Sequence, residues 1–224
     1  MAKFKLKDSD RQKIAAAVKK AESRTSGEIV TSFIQQSYDY AVYELVFAIV
    51  VSFLYFIFML FFISEIELWL QSRFWNYSSA HLIAFYGFTI FIWGTVLYFL
   101  ANIAFLDRLI VPRKVMKRKV HERALLHFLD SGIAETRDRT GILIFISLME
   151  HRVELLADRG INEKIDPNQW QEIVDKIVSG VKSGSFTDSL IQAVEDCGKL
   201  LAEYFPIKED DTNELSNEIQ ELQK

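Results

Sequence analysis

Apolar residues along this chain follow helical or strand periods except in two stretches, where they are nearly continuous. Residues 41–63 (AVYELVFAIVVSFLYFIFMLFFI) contain one charge, Glu44, and residues 82–106 (LIAFYGFTIFIWGTVLYFLANIAFL) contain none. As helices, both exceed the roughly 20 residues needed to cross a hydrocarbon core of about 30 Å. Burial inside a large soluble protein is the alternative for helices apolar all round. The roughly 155 residues that remain are too few and too polar to wrap them. The pattern therefore predicts a transmembrane hairpin joined by a short polar loop, residues 64–80. Two spans with a lone Asn102 and no charged lining do not suggest a channel or transporter. Gly87 and Gly94, seven residues apart on one face, suit close packing of the two spans or docking of a second copy.

The flanking sequence returns to ordinary periods. Ile14, Val18 and Ala21 recur at helical spacing and predict a helix over residues 8–23, capped by Asp8, Ser9 or Asp10 and stopped by a positive-φ Gly27. Residues 28–34 (EIVTSFI) read as a strand. After the hairpin, Pro112 opens a helix reaching about Asp130, with Val120, Ala124, Leu125, Phe128 and Leu129 as its buried stripe and Gly132 as its stop. Residues 141–148 (GILIFISL) suit a strand covered on both faces, and 153–157 (VELLA) its antiparallel partner across a tight turn. Asp166 before Pro167 is a cap followed by a first helical residue. The stripe Trp170, Ile173, Val174, Ile177, Val178 carries that helix to Gly180. A last helix runs from Phe186 to Tyr204 and stops at Pro206. Two paired strands are marginal alone, so residues 28–34 are expected in the same sheet as the later two. The division that follows has residues 1–40 and 107–206 forming one cytoplasmic α/β domain, 41–106 the inserted hairpin, and 207–224 a flexible tail.

Charge orients this arrangement. Eight Lys or Arg residues precede residue 31, seven lie between 108 and 123, and the loop at 64–80 carries only Arg73 against Glu65 and Glu67. Positive charge is retained on the cytoplasmic side, so both termini are expected there, in an inner or plasma membrane. The chain's net charge of −4 resides in the tail, which holds six acids and two lysines. Headgroups and topology account for the basic flanks, and no nucleic acid is needed. A single cysteine, Cys197, excludes an intramolecular disulfide and a multi-cysteine zinc site and suits a reducing cytoplasm. The N-terminus has no apolar core or cleavage site, so the first span is expected to serve as the insertion signal.

Four stretches in order, residues 25–30 (TSGEIV), 139–147 (RTGILIFIS), 153–161 (VELLADRGI) and the Asp166-Pro167 helix start, resemble the TPM domain family. The likeness covers roughly residues 8–206 and is strongest to bacterial membrane versions in which a two-span hairpin interrupts the domain after its first strand. It implies an α/β helix–sheet sandwich. It also implies one of several roles: calcium binding, weak acid phosphatase activity, or accessory work for membrane complexes such as photosystem II and a receptor channel. Carried over residue by residue, the family's acid before the central strand corresponds to Asp138, and its Gly-x-Gly turn to Asp158-Arg159-Gly160. The acid opening the next helix corresponds to Asp166. This chain lacks the first glycine of that turn.

Asp138, Asp158 and Asp166 are thus the candidate metal residues, for calcium or magnesium, since hard cations take carboxylate and carbonyl oxygens. The competing reading makes Asp166 a helix cap, pairs Asp158 with Arg159 or Arg139, and leaves Asp138 solvated. There is no EF-hand loop, P-loop or Gly-x-Ser-x-Gly motif. A phosphatase would rest on the three aspartates, with Arg139 or Arg159 to bind phosphate. His121 and His127, six apart on a helix, do not share a face. The favoured expectation is a membrane-anchored accessory or interaction protein, with the lipid bilayer and a membrane protein as partners and homo-oligomerisation through the hairpin as an option. The alternative is a weak metal-dependent phosphatase.

Overall fold

The structure is a computed structural model that describes residues 4–101 and 103–223. Met1 to Lys3, Asn102 and Lys224 lie outside the described residues, so the reading of Asn102 as a lone polar group has no structural counterpart. The chain divides into two units at about residues 39 and 113.

The first unit is helical. Helix α2 (Ala41–Leu60) and helix α4 (Ser79–Ala101) pack side by side. The Tyr86 hydroxyl donates to Met59 O at 2.9 Å, and Tyr55 meets Trp93 at 5.6 Å, a pairing order that makes the helices antiparallel. A Cβ on Gly94 would lie 3.1 Å from Ser52 Oγ, whereas Gly87 faces open space. Of the two glycines, only Gly94 serves close packing between the helices. Both helices are long and apolar enough to cross a membrane. The connection corrects the expected loop, because most of it is helix α3 (Ile63–Arg73). Its Leu, Ile, Glu and Gln residues are good helix formers with no proline or glycine among them. The second apolar helix ends earlier than expected, since Ile103 takes extended backbone before the short α5 (Ala104–Ile110).

The second unit is an α/β sandwich. Strand β1 (Glu28–Ile34) pairs in parallel with β2 (Gly141–Ser147) over all seven residues, from Glu28↔Gly141 to Ile34↔Ser147. Strand β3 (Arg152–Ala157) returns antiparallel to β2. The turn between them, which has no glycine, places His151 at a φ of 49°. The Glu150 carboxylate steadies that turn by accepting the Ser37 N–H at 3.0 Å and the Ser147 hydroxyl.

Alternation along β1 and β2 decides the layers. Ile29, Phe33, Ile142, Ile144 and Ile146 face α1 (Asp8–Glu22), α8 (Pro167–Ser183) and α9 (Phe186–Tyr204). There Phe33 meets Phe4 at 5.8 Å and Phe186 at 6.0 Å, both edge to face. Val30, Ile34, Leu143 and Phe145 face α6 (Arg113–Asp130) through Val120, Ala124 and Phe128. Leu125 and Leu129, expected in that stripe, are exposed. A single helix on this face buries only its i, i+4 row, so neighbouring positions stay open. Gly132 ends α6 with a φ of 75°, and Gly184 ends α8 with a φ of 80°.

Two local expectations fail. Helix α1 begins after Lys7 with no side-chain cap. Gly27 does not adopt a positive φ; a Cβ there would instead touch Leu201 Cδ1 at 3.0 Å. A larger difference concerns the tail expected to be flexible. Residues Gln220–Leu222 form β4, parallel to β1, and complete a sheet of order β3-β2-β1-β4. Ile219 is buried in the core facing α1, while Leu215 and Leu222 pack on the opposite face beside α6. Three apolar side chains among the acids, spaced to meet both layers, give the tail a place in the sandwich.

Candidate functional site

One end of the sheet gathers the segments before β1, before β2 and after β3. Arg139 precedes β2 with a φ of 58°, and a Cβ on Gly160 would lie 2.7 Å from Arg139 O and 3.0 Å from Asp138 O. The loops bearing Asp138 and Asp158 therefore touch backbone to backbone, which only a residue without a side chain permits at position 160.

Each candidate aspartate has a defined occupation. Asp138 receives the Lys208 ammonium at 2.7 Å, with Arg137 at 3.7 Å, and Lys208 holds its carboxyl below the usual carboxylate range. Asp158 is nearly buried and caps the short helix α7 (Arg159–Asn162), accepting the Arg159 N–H at 2.6 Å. Its Oδ2 has no hydrogen bond, and the closest cation is Arg139 Nη1 at 3.9 Å. Asp166 caps α8, accepting the Asn168 N–H at 2.8 Å, and is exposed. Arg159 turns to Glu163 at 2.7 Å and leaves the aspartates.

The fold thus brings Asp138 and Asp158 into neighbouring loops without gathering the three carboxylates. Among the described residues, no three His, Cys, Asp or Glu side chains meet in a metal-holding group. The cation against Asp138 is a lysine from the chain's own tail. This donor arrangement does not fit a calcium or magnesium centre. His121 pairs with Glu154 at 3.1 Å, and half-buried His127 is held below its ordinary pKa by burial and by Arg123.

A second acidic pair lies at the same end of β1. Glu22 accepts the Ile29 N–H at 2.9 Å on one oxygen and Asn217 Nδ2 on the other. Burial, reinforced by Glu28 and Asp211, pushes its pKa up to about 8. Glu28 is buried, accepts the Glu214 N–H at 3.1 Å, and has an Oε2 without a partner. Burial raises Glu28 as well, with Glu214 and Asp211 adding to it. Sequence reading missed both. The signal available was a glutamate opening a short β-branched and aromatic strand, a place where a carboxylate needs a specific partner.

These features define an α/β sandwich interrupted after its first strand by a pair of long apolar helices. Residues 108–200 match the family model described as the TPM domain. Residues 108–200 carry a TPM domain. The NMR structure of BA42 protein from the psychrophilic bacterium Bizionia argentinensis is similar in fold, with a TM-score of 0.59 at 19% identity over 99% of this chain and 98% of that one. No curated protein matches.

Proposed function

We propose that this chain is a TPM-domain protein held in an inner or plasma membrane by its hairpin, with the α/β domain and both termini in the cytoplasm, where it serves a membrane complex as an accessory protein. The observation that carries this reading is the outward surface of α2 and α4. Phe53, Phe91 and Ile83 there are 60%, 73% and 73% exposed, around helices that bury few of their side chains. A contiguous apolar surface of that extent belongs in lipid or against another protein. The asymmetry of Lys and Arg supports the orientation. The accessory role is supported by the occupation of the three candidate aspartates, one in an ion pair with Lys208 and two as helix caps.

The test is the native size of the protein after extraction in mild detergent with cross-linking. The reading predicts a stoichiometric membrane protein partner in a species larger than the detergent-bound monomer. Recovery of the monomer alone overturns it.

A further inference from the structure

Strand β1, like β2, is buried along its whole length, yet its two edges are covered unequally. All seven residues pair with β2 on one side, whereas on the other only Ser32, Phe33 and Ile34 pair, with Gln220, Glu221 and Leu222. The tail covers the rest of that edge through side chains. Arg11 meets Glu221 at 2.5 Å, Asn217 reaches Glu22, the Glu214 N–H reaches Glu28, and Arg137 meets Asp210 at 3.2 Å. Ile219 is the one apolar tail residue fully seated in the core. A three-residue ladder, partly exposed ion pairs, buried Ile219 and half-buried Leu215 and Leu222 hold this segment less firmly than a seven-residue ladder would.

The tail also mismatches what it covers. Glu28 is buried and Glu22 half-buried, and the charged groups facing them are each other, Asp211 and Glu214. The tail offers them an amide and backbone N–H groups, and Glu28 Oε2 receives nothing. A strand presenting cations at those positions and pairing along more of β1 would bind this edge better than the tail does.

We propose that the β1 edge beneath the tail is the docking site for an extended segment of a partner protein, which displaces residues 214–222 and joins the sheet parallel to β1. Its chemistry follows from the contacts it replaces. Basic side chains take the places of Glu214 and Asn217, opposite Glu28 and Glu22. Apolar side chains take the places of Ile219 and Leu222, with an acid between them for Arg11. This is strand addition, in which ladder bonds supply affinity and alternate side chains supply specificity. The inference rests on the accessory reading and names its surface.

The test uses the full chain carrying Ile219→Asp, which unseats its own tail, in detergent micelles. Two labelled nonapeptides spanning residues 214–222 are titrated by fluorescence anisotropy, one native and one with Glu214→Lys and Asn217→Lys. The lysine peptide is expected to bind saturably and at least about tenfold tighter than the native one, since charge complementarity sets partner choice. Adding Glu22→Gln and Glu28→Gln erases that preference. Absence of binding, or equal binding of the two peptides, overturns the proposal. Hydrogen exchange on the unmodified chain gives a second arm independent of that variant's folding. Amides of residues 219–222 are expected to exchange roughly a hundredfold faster than those of residues 143–145, through local opening. Equal rates overturn the proposal. Both arms leave the native-size assay untouched, so failure here is distinct from failure of the accessory reading.

Discussion

Replacing Glu22 by Gln is expected to stabilise the protein above neutral pH, although it removes a carboxylate that makes two hydrogen bonds. The cause is the pKa of about 8, imposed mainly by burial and reinforced by Glu28 and Asp211. A carboxyl with a folded pKa above its unfolded value binds its proton more tightly in the folded chain. Its contribution is full below the unfolded pKa of about 4.5 and is lost as pH rises through about 8. Between pH 6.5 and 8.5, linkage at about 1.4 kcal/mol per pKa unit removes about 2 kcal/mol, and partial solvent exposure brings the loss to about 1–2 kcal/mol. Gln keeps the acceptor for the Ile29 N–H and cannot ionise. Urea unfolding in detergent, followed by circular dichroism at both pH values, measures the difference. The lowered pKa of His127 acts on the acid side of this window and does not interfere. Wild-type curves that superimpose at the two pH values refute the reasoning. So does a Glu22→Gln protein that loses as much stability as wild type.

Three further outcomes are expected. Phe33→Ala removes a side chain fully buried between Phe4 and Phe186 and should cost about 3–5 kcal/mol in the same urea assay; a loss under about 1 kcal/mol contradicts the packing described. Burial pushes the Cys197 thiol up to about 12, so it should stay inert to a thiol reagent at pH 8 until urea unfolds the domain; labelling of the folded chain refutes this. Millimolar calcium or magnesium should leave the thermal midpoint unchanged. A ligand at about 100 times its dissociation constant would add about 2.7 kcal/mol, and a shift removed by Asp138→Asn would restore the metal reading.

Much of the fold was legible in the sequence because its elements declare themselves locally. The β-branched and aromatic run of β1, the apolar run of β2 and the Asp166-Pro167 start each depend on neighbours within a turn or two, and the structure reproduces their bounds within a residue. What depends on distant partners was not legible. Acidity along residues 207–224 masks Ile219 and Leu222, whose use requires β1 and both helix layers to exist first. Helix α3 was hidden by the polarity of its Glu and Gln residues, which reads as loop although their helix propensity is high. Of the aspartates singled out as metal candidates, Asp158 and Asp166 cap helices, as the competing reading expected for Asp166. The partner of Asp138 is Lys208, 70 residues away, which no local pattern predicts. Glu22 and Glu28 escaped because their significance lies in burial.

The central claim is that the helical pair spans a membrane with the α/β domain on its cytoplasmic side. Cysteine labelling with an impermeant maleimide tests it most directly, with Ser72→Cys in α3 and Ser183→Cys near the end of α8 as exposed reporters and buried Cys197 silent. The account predicts that Ser72→Cys is labelled in intact cells and Ser183→Cys only after the membrane is disrupted. Labelling of Ser183→Cys in intact cells, or protection of Ser72→Cys, contradicts it.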